Sequence, residues 1–471
     1  MNENESNSNR WRHDPAEAWL AWSPSEAEPW NLTRVLSLHR RAGFSATWAE
    51  AQRDLAEGHE AALSRILSGA ATGPDGRKAV AIDAFCDAMF ESYRANGNAL
   101  DPIRQAWFYR LIFSAWPLRE RVLLAWHTHY ATSEAKVTQT QTLFGQHQTQ
   151  RGLWQARQSK LHLAMLRDEA MLVWLDGVAN QRGAPNENLA REFLELFALG
   201  VGNYTESDVK ETARALTGWH RVYNLPTDVR FQASLHDAET KTILGKTGAW
   251  GEEDVARIAC AHPAAARRIA WRLWRTFISD VDEPTSELLE ALAVTMRVDE
   301  DIDVERGLKT IIRSRLFHSD AYVSRRVLSP VEWIVCVLRA GEAFPPHPDL
   351  GEIVAVANRM GQRLFRPPNV AGWPGGLEWL SGPALVARQN FAAWLTSDES
   401  TVTTDHWFKL AERHGVAGGE GEIGFWTALF WGRPAHPDEK KELSAQLIGS
   451  EPASRAGLVR ALLTNPAVYL A

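Results

Sequence analysis

Between Pro185 and Trp219 the chain reads PNENLAREFLELFALGVGNYTESDVKETARALTGW, and this span limits the fold more than any other. At about 100° per residue, Leu189, Phe193, Leu196 and Phe197 share one helical face. Leu194 and Ala198 fall on the other side, beside Glu187, Arg191 and Glu195 at i, i+4 and i+8. A helix that is apolar on two sides has to sit centrally, with helices packed around it. Pro185 and Asn186 are helix-entry residues, and Glu187 in the first turn complements the helix dipole. Gly200 ends the helix, and Gly202 with Asn203 supports a turn. Thr205 and Asp208 open the next helix as a capping box with Asp in place of Glu. Val209, Ala213 and Leu216 form its inner stripe.

The same spacing of apolar residues recurs through most of the chain, over residues 32–43, 48–67, 79–93, 100–130, 153–175, 253–278, 284–297, 303–315 and 330–340. The fold class that follows is mostly α: a multi-helix, orthogonal bundle-like array with one small β hairpin element near the middle. The hairpin signal is Val222, Tyr223, Val229, Phe231 and Leu235 around Asn224, Pro226 and Asp228. A chain of 471 residues is too long for one small core. Its expected division is a disordered lead-in at 1–14, an N-terminal helical subdomain at 15–220 and a β hairpin insertion at 221–252. A C-terminal helical subdomain follows at 253–471, with a Pro/Gly/Trp loop at 359–383. The Gln/Thr-rich run 138–150 contains Leu143 and Phe144 and is expected to be ordered and partly exposed. The 21 tryptophans are scattered through apolar helical patterns, which points to core use rather than to a binding surface.

Charge and motifs remove several function classes. A net charge of -7 provides no basic field for nucleic acid. Cys86, Cys260 and Cys336 are odd in number and far apart, which fits a reducing compartment rather than a disulfide framework. The polar start MNENESNSNRWRHDPAEAW lacks an apolar signal core, and the apolar segment 111–126 is broken by Pro117, Arg119, Glu120 and Arg121. A cytoplasmic location with no membrane span is the expectation. No G-x-S-x-G elbow, P-loop, dinucleotide fingerprint, Cys-x-x-Cys pair or zincin motif occurs.

Five strings together resemble one large bacterial family, domain of unknown function 1800. They are the span opened on above, LHRRAGF at 38–44, WHTHYATS at 126–133, LHDAETKTILG at 235–245 and MGQRLFRPPNVAGWPGG at 360–376. The resemblance brings no assigned activity. It implies that many relatives are exported, and it implies a protein partner from a neighbouring uncharacterised family similar to sulfatases and alkaline phosphatases. The missing signal segment sets this chain apart from the exported relatives.

Two functions compete. One is a hydrolase-like enzyme with a carboxylate/His polar site, metal-assisted through a divalent ion. Its catalytic candidates are Glu187, Glu192, His127 and His236, with Arg191, Glu195, Asp237, Arg366, Asn369 and Trp373 as binding residues. Its metal candidates are His127, His129, His236 and Asp237. Two histidines two positions apart point nearly 200° from each other on a regular helix, so His127 and His129 can share a metal only at a helix end or in extended chain. The other function is a non-enzymatic binding or assembly protein that docks a protein or glycan on an aromatic surface. The bland account of Arg191 is an internal ion pair with Glu187 and Glu195. A calcium loop is excluded at 200–208 because the ligand series is missing.

Overall fold

The computed structural model describes residues 14–95, 99–222, 229–344, 349–418, 421–446 and 452–471. Helices dominate it, and the strands form only two-stranded antiparallel pairs. The hairpin expected after Trp219 pairs Trp219–Arg221 with Val229–Phe231, with Trp219 opposite Phe231. Its expected turn and the lead-in at 1–13 lie outside the described residues. Two further small hairpins go beyond the expected one. Lys241–Ile243 pairs with Lys246–Gly248, and Arg297–Val298 pairs with Asp301–Ile302. The second of these turns on Asp299 and Glu300, both at positive φ (52° and 60°). Asp visits that region more readily than most residues but Glu does not, so the pair does not advertise the turn.

Two large apolar cores organise the helices. One gathers Ile103, Trp107, Phe113, Trp333, Trp407 and Trp426. The other gathers Trp126, Phe193, Phe197, Trp274, Leu308 and Ile311. Each core draws residues from both sides of segment 221–252. No described tryptophan is exposed, as bulk burial of large rings requires. The helix Thr140–Gly152, expected to be partly exposed, buries Thr140, Leu143, Phe144, Gln146, His147 and Gln150. Within it, Gln146 accepts from Thr132 Oγ1 at 2.7 Å and donates to Asp168 at 2.9 Å. No described helix is long and apolar enough to cross a membrane. The three cysteines are buried free thiols.

Buried arginines join distant segments. Within LHRRAGF, Arg40 donates to the carbonyls of Phe430, Val468 and Leu470, and Arg41 donates to those of Phe277 and Phe317. Each guanidinium satisfies carbonyls that would otherwise be buried without a partner, which is costly.

Candidate functional site

The signature corner departs from a plain helix in an informative way. Asn188–Glu192 is α-helical, and Phe193–Ala198 widens into a π-helical turn. The Leu199 N–H bonds to the Leu194 carbonyl at 2.9 Å. Widening releases carbonyls from the ordinary ladder. Arg268 takes the Leu196 carbonyl (2.8 and 3.0 Å) and His129 Nε2 takes that of Phe197 (3.1 Å). The capping box forms as expected: Thr205 N–H donates to Asp208 at 2.9 Å, and Asp208 N–H donates to Thr205 Oγ1 at 3.2 Å.

The extra backbone rotation also redistributes the carboxylates. Arg191 pairs with Glu187 (3.1 Å) and with Glu206 of the next helix (2.7 Å), at the surface rather than internally. Glu195 instead accepts from the Tyr204 hydroxyl at 2.8 Å. Glu192 is half-buried, and burial together with the neighbouring Glu195 charge raises its carboxyl.

The other candidates are held by separate partners. His127 is buried, and its Nε2 accepts from the Phe365 N–H at 3.0 Å. Nε2 is therefore unprotonated, and burial lowers this imidazole to about 3. His129 points to the Phe197 carbonyl in the other core, so the pair diverges as helical geometry dictates. His236 Nδ1 donates to the Thr217 carbonyl at 2.9 Å. Burial would raise the Asp237 carboxyl, but hydrogen bonds from Arg214 (2.7 Å) and the Glu239 N–H, with the Arg214 and Lys241 charges, together outweigh it and hold the group low. Arg366 reaches toward Glu134 (3.6 Å), and Asn369 caps the Ala371 N–H. Among the described residues, no three His, Cys, Asp or Glu side chains are grouped to hold a metal ion.

Trp373 leads elsewhere. It is buried at 6% exposure, packs 5.7 Å from the His127 ring, and lines a cavity of about 80 Å³. One ordered water needs roughly 10–15 Å³, so this space admits a small polyatomic group. Four main segments line it. The helix Pro117–His129 presents Arg121, Leu124, Ala125 and Thr128 from one face, and Pro263–Phe277 presents Arg272, Arg275 and Thr276. Arg326, Ser329 and Glu332 come from the entry to Pro330–Ala340. The fourth wall is the Pro/Gly/Trp loop, with Trp373, Pro374, Gly375 and Trp379. That loop sits close enough that a Cβ at Gly372 (φ 82°) would stand 2.3 Å from the Thr128 carbonyl oxygen. Only glycine permits this approach.

The electrostatics are unbalanced. Arg121, Arg272, Arg275 and Arg326 face only Asp280 and Glu332 as anions in the cavity wall. Glu332 takes two hydrogen bonds from Arg326 (2.6 and 2.8 Å) and lies 3.3 Å from Arg121. Burial alone would raise its carboxyl, but the Arg121 and Arg326 charges prevail and bring it to about 2. Arg121 is 1% exposed; its Nη1 donates to the Gly43 carbonyl at 2.6 Å, its Nη2 faces Glu332 at 3.3 Å as an ion pair without an aligned hydrogen bond, and its Nε has no acceptor. Arg326 Nη1, Arg272 Nε and the Trp373 indole N–H also have none. Burial lowers Arg272 to about 9, helped by Arg268 and Arg275, and lowers Arg121 to about 10.

Of these cavity residues, the sequence candidates included Trp373 but none of the arginines. A signal for them was present. Arg268, Arg272 and Arg275 recur at i, i+4 and i+7 in RRIAWRLWRTF, a charged stripe inside an otherwise apolar, Trp-bearing helix.

No curated protein and no solved structure matches this chain. A family model described as "Protein of unknown function (DUF1800)" matches residues 37–470, nearly the whole length, and the chain belongs to that family.

Proposed function

We propose that this protein binds a small anionic ligand in the arginine-lined cavity between the helices Pro117–His129 and Pro263–Phe277. The observation that carries it is the set of buried guanidinium N–H groups without acceptors on Arg121, Arg272 and Arg326. A buried polar donor left unpaired costs about 1–3 kcal/mol, and more when charged, so a ligand that accepts from several of them gains that much. The other polar groups favour binding over chemistry. Asp280 is occupied by the backbone N–H groups of Val327 and Gly376, and Thr128, Thr276 and Ser329 are bonded locally. Glu332 is held as a carboxylate and is a poor proton acceptor near neutrality. An aromatic docking surface has less support, because the described tryptophans are all buried or half-buried.

Isothermal titration of the protein with simple anions tests this reading. Saturable binding is expected for the native chain, weakened at least tenfold by Arg272→Met. No heat of binding and no thermal stabilisation by any anion would refute it.

One observation keeps the hydrolase reading as the second. The raised, half-buried carboxyl of Glu192 suits a general acid at the signature corner, beside Glu187 and Glu195. That reading expects Glu192→Gln to abolish hydrolysis in an ester-substrate screen while leaving anion binding intact.

A further inference from the structure

We infer that the group held in this cavity is a compact tetrahedral oxyanion carrying two negative charges: free phosphate or sulfate, or the phosphate end of a monoester. The inference rests on the anion-binding reading and adds the ligand's charge and shape. Charge comes first. Four arginines and two carboxylates line the cavity, which leaves two positive charges uncompensated in its wall. Glu283 pairs with Arg275 at 3.5 Å from outside the lining, where its side chain is 66% exposed and screened by solvent. The Arg272 guanidinium has no hydrogen bond or ion pair with a described residue and lies 5.5 Å from the Trp271 ring. A chloride or a single carboxylate would leave one positive charge of the partly buried wall unbalanced, beside like charges that repel it.

Shape comes second. The donors without acceptors belong to Arg121, Arg272, Arg326 and Trp373, on four segments that surround the space. A planar carboxylate offers its lone pairs in one plane, whereas a tetrahedral ion presents oxygens toward all four walls. The size of about 80 Å³ accommodates a compact tetrahedral ion. Trp373, Trp379 and the Pro374–Gly375 turn supply the apolar part of the wall, against which the ester oxygen and first carbon of a monoester would rest.

Competition titrations on the full chain decide the matter at constant ionic strength, with phosphate, sulfate, methyl phosphate, chloride and acetate as probes. Phosphate and sulfate are expected to bind at least tenfold more tightly than chloride or acetate. Phosphate affinity should rise as its second proton leaves, while sulfate affinity stays flat over the same pH range. Methyl phosphate at least equal to phosphate would identify a monoester as the physiological form; a tenfold weaker methyl ester would identify the free ion. Chloride or acetate binding as tightly as sulfate would overturn the dianion inference and leave anion binding standing. Absence of all binding would overturn both. Arg272→Met is expected to lose the preference for dianions and to unfold at no lower a temperature than the native chain when no anion is added. If that variant does not fold, Arg272→Lys keeps the charge and loses the fork, and an unchanged phosphate affinity there would count against directed recognition by Arg272.

Discussion

At the scale of single residues, the chain spends charge inside its core, and pH is the probe of that. His127 and His162 are buried, and burial lowers each to about 3. A histidine held neutral in the fold contributes stability that is fully present above its unfolded value, near 6.5. That stability is lost as pH falls from there toward the folded value. Urea denaturation should therefore show stability falling below pH 6.5, by up to about 1.4 kcal/mol per pH unit for each such histidine. A flat profile between pH 7 and 5 would show that these rings are not held neutral. Glu332 has the carboxylate sign: its stabilisation is present above the unfolded value near 4.5 and is lost as pH drops toward 2. Replacing it with glutamine strands Arg121 and Arg326 together, and a loss of about 3–5 kcal/mol is expected by chemical denaturation.

Elements matter where one cap or one close approach positions two structures at once. Thr205→Ala removes one capping partner and should cost about 1 kcal/mol. Asp208→Ala should cost about twice that. Its second carboxylate oxygen accepts the Leu244 N–H at 2.7 Å and so anchors the 241–248 hairpin to the signature corner. Hydrogen exchange at Leu244 should accelerate in Asp208→Ala and stay slow in Thr205→Ala. Gly372→Ala drives a methyl group into the Thr128 carbonyl oxygen and strains a positive-φ position, at a cost on the order of 2 kcal/mol. The loop carrying Trp373 must then lift, so anion affinity should drop even if the helices around it keep their far-UV signal.

For the whole molecule, the cavity depends on contacts that span the sequence. The Arg326 N–H and carbonyl both pair with Ala471, and the Leu328 N–H bonds to the Tyr469 carbonyl at 2.8 Å. Arg40 holds the Val468 and Leu470 carbonyls from the other end of the chain. Deleting residues 469–471 removes the strand-like partner of the segment that aims Arg326. The expected result is weaker anion binding together with a lower melting temperature, read by titration and by tryptophan fluorescence. Unchanged affinity would show that Arg326 is positioned by Glu332 alone.

Helical periodicity, the capped corner at 185–219 and the use of tryptophan for burial were legible in the residues, because each is a local or statistical consequence of side-chain chemistry. The bonding of the corner's carboxylates was only half legible. A π-turn moves Glu195 off the i+4 row, and tertiary contacts from Arg268 and His129 accompany that turn, which no spacing rule reveals. The cavity was less legible still. Trp373 and the Gly/Pro loop drew attention through their composition, but Arg121, Arg272 and Arg326 lie about 50 to 200 residues apart in sequence. Alone, each reads as an ordinary helix-face or loop charge. The sequence by itself determined a mostly helical, Trp-filled array with a central capped corner. Only the tertiary structure decided that these arginines share one partly buried space with too few carboxylates, because charge balance belongs to a volume and not to a stretch of chain.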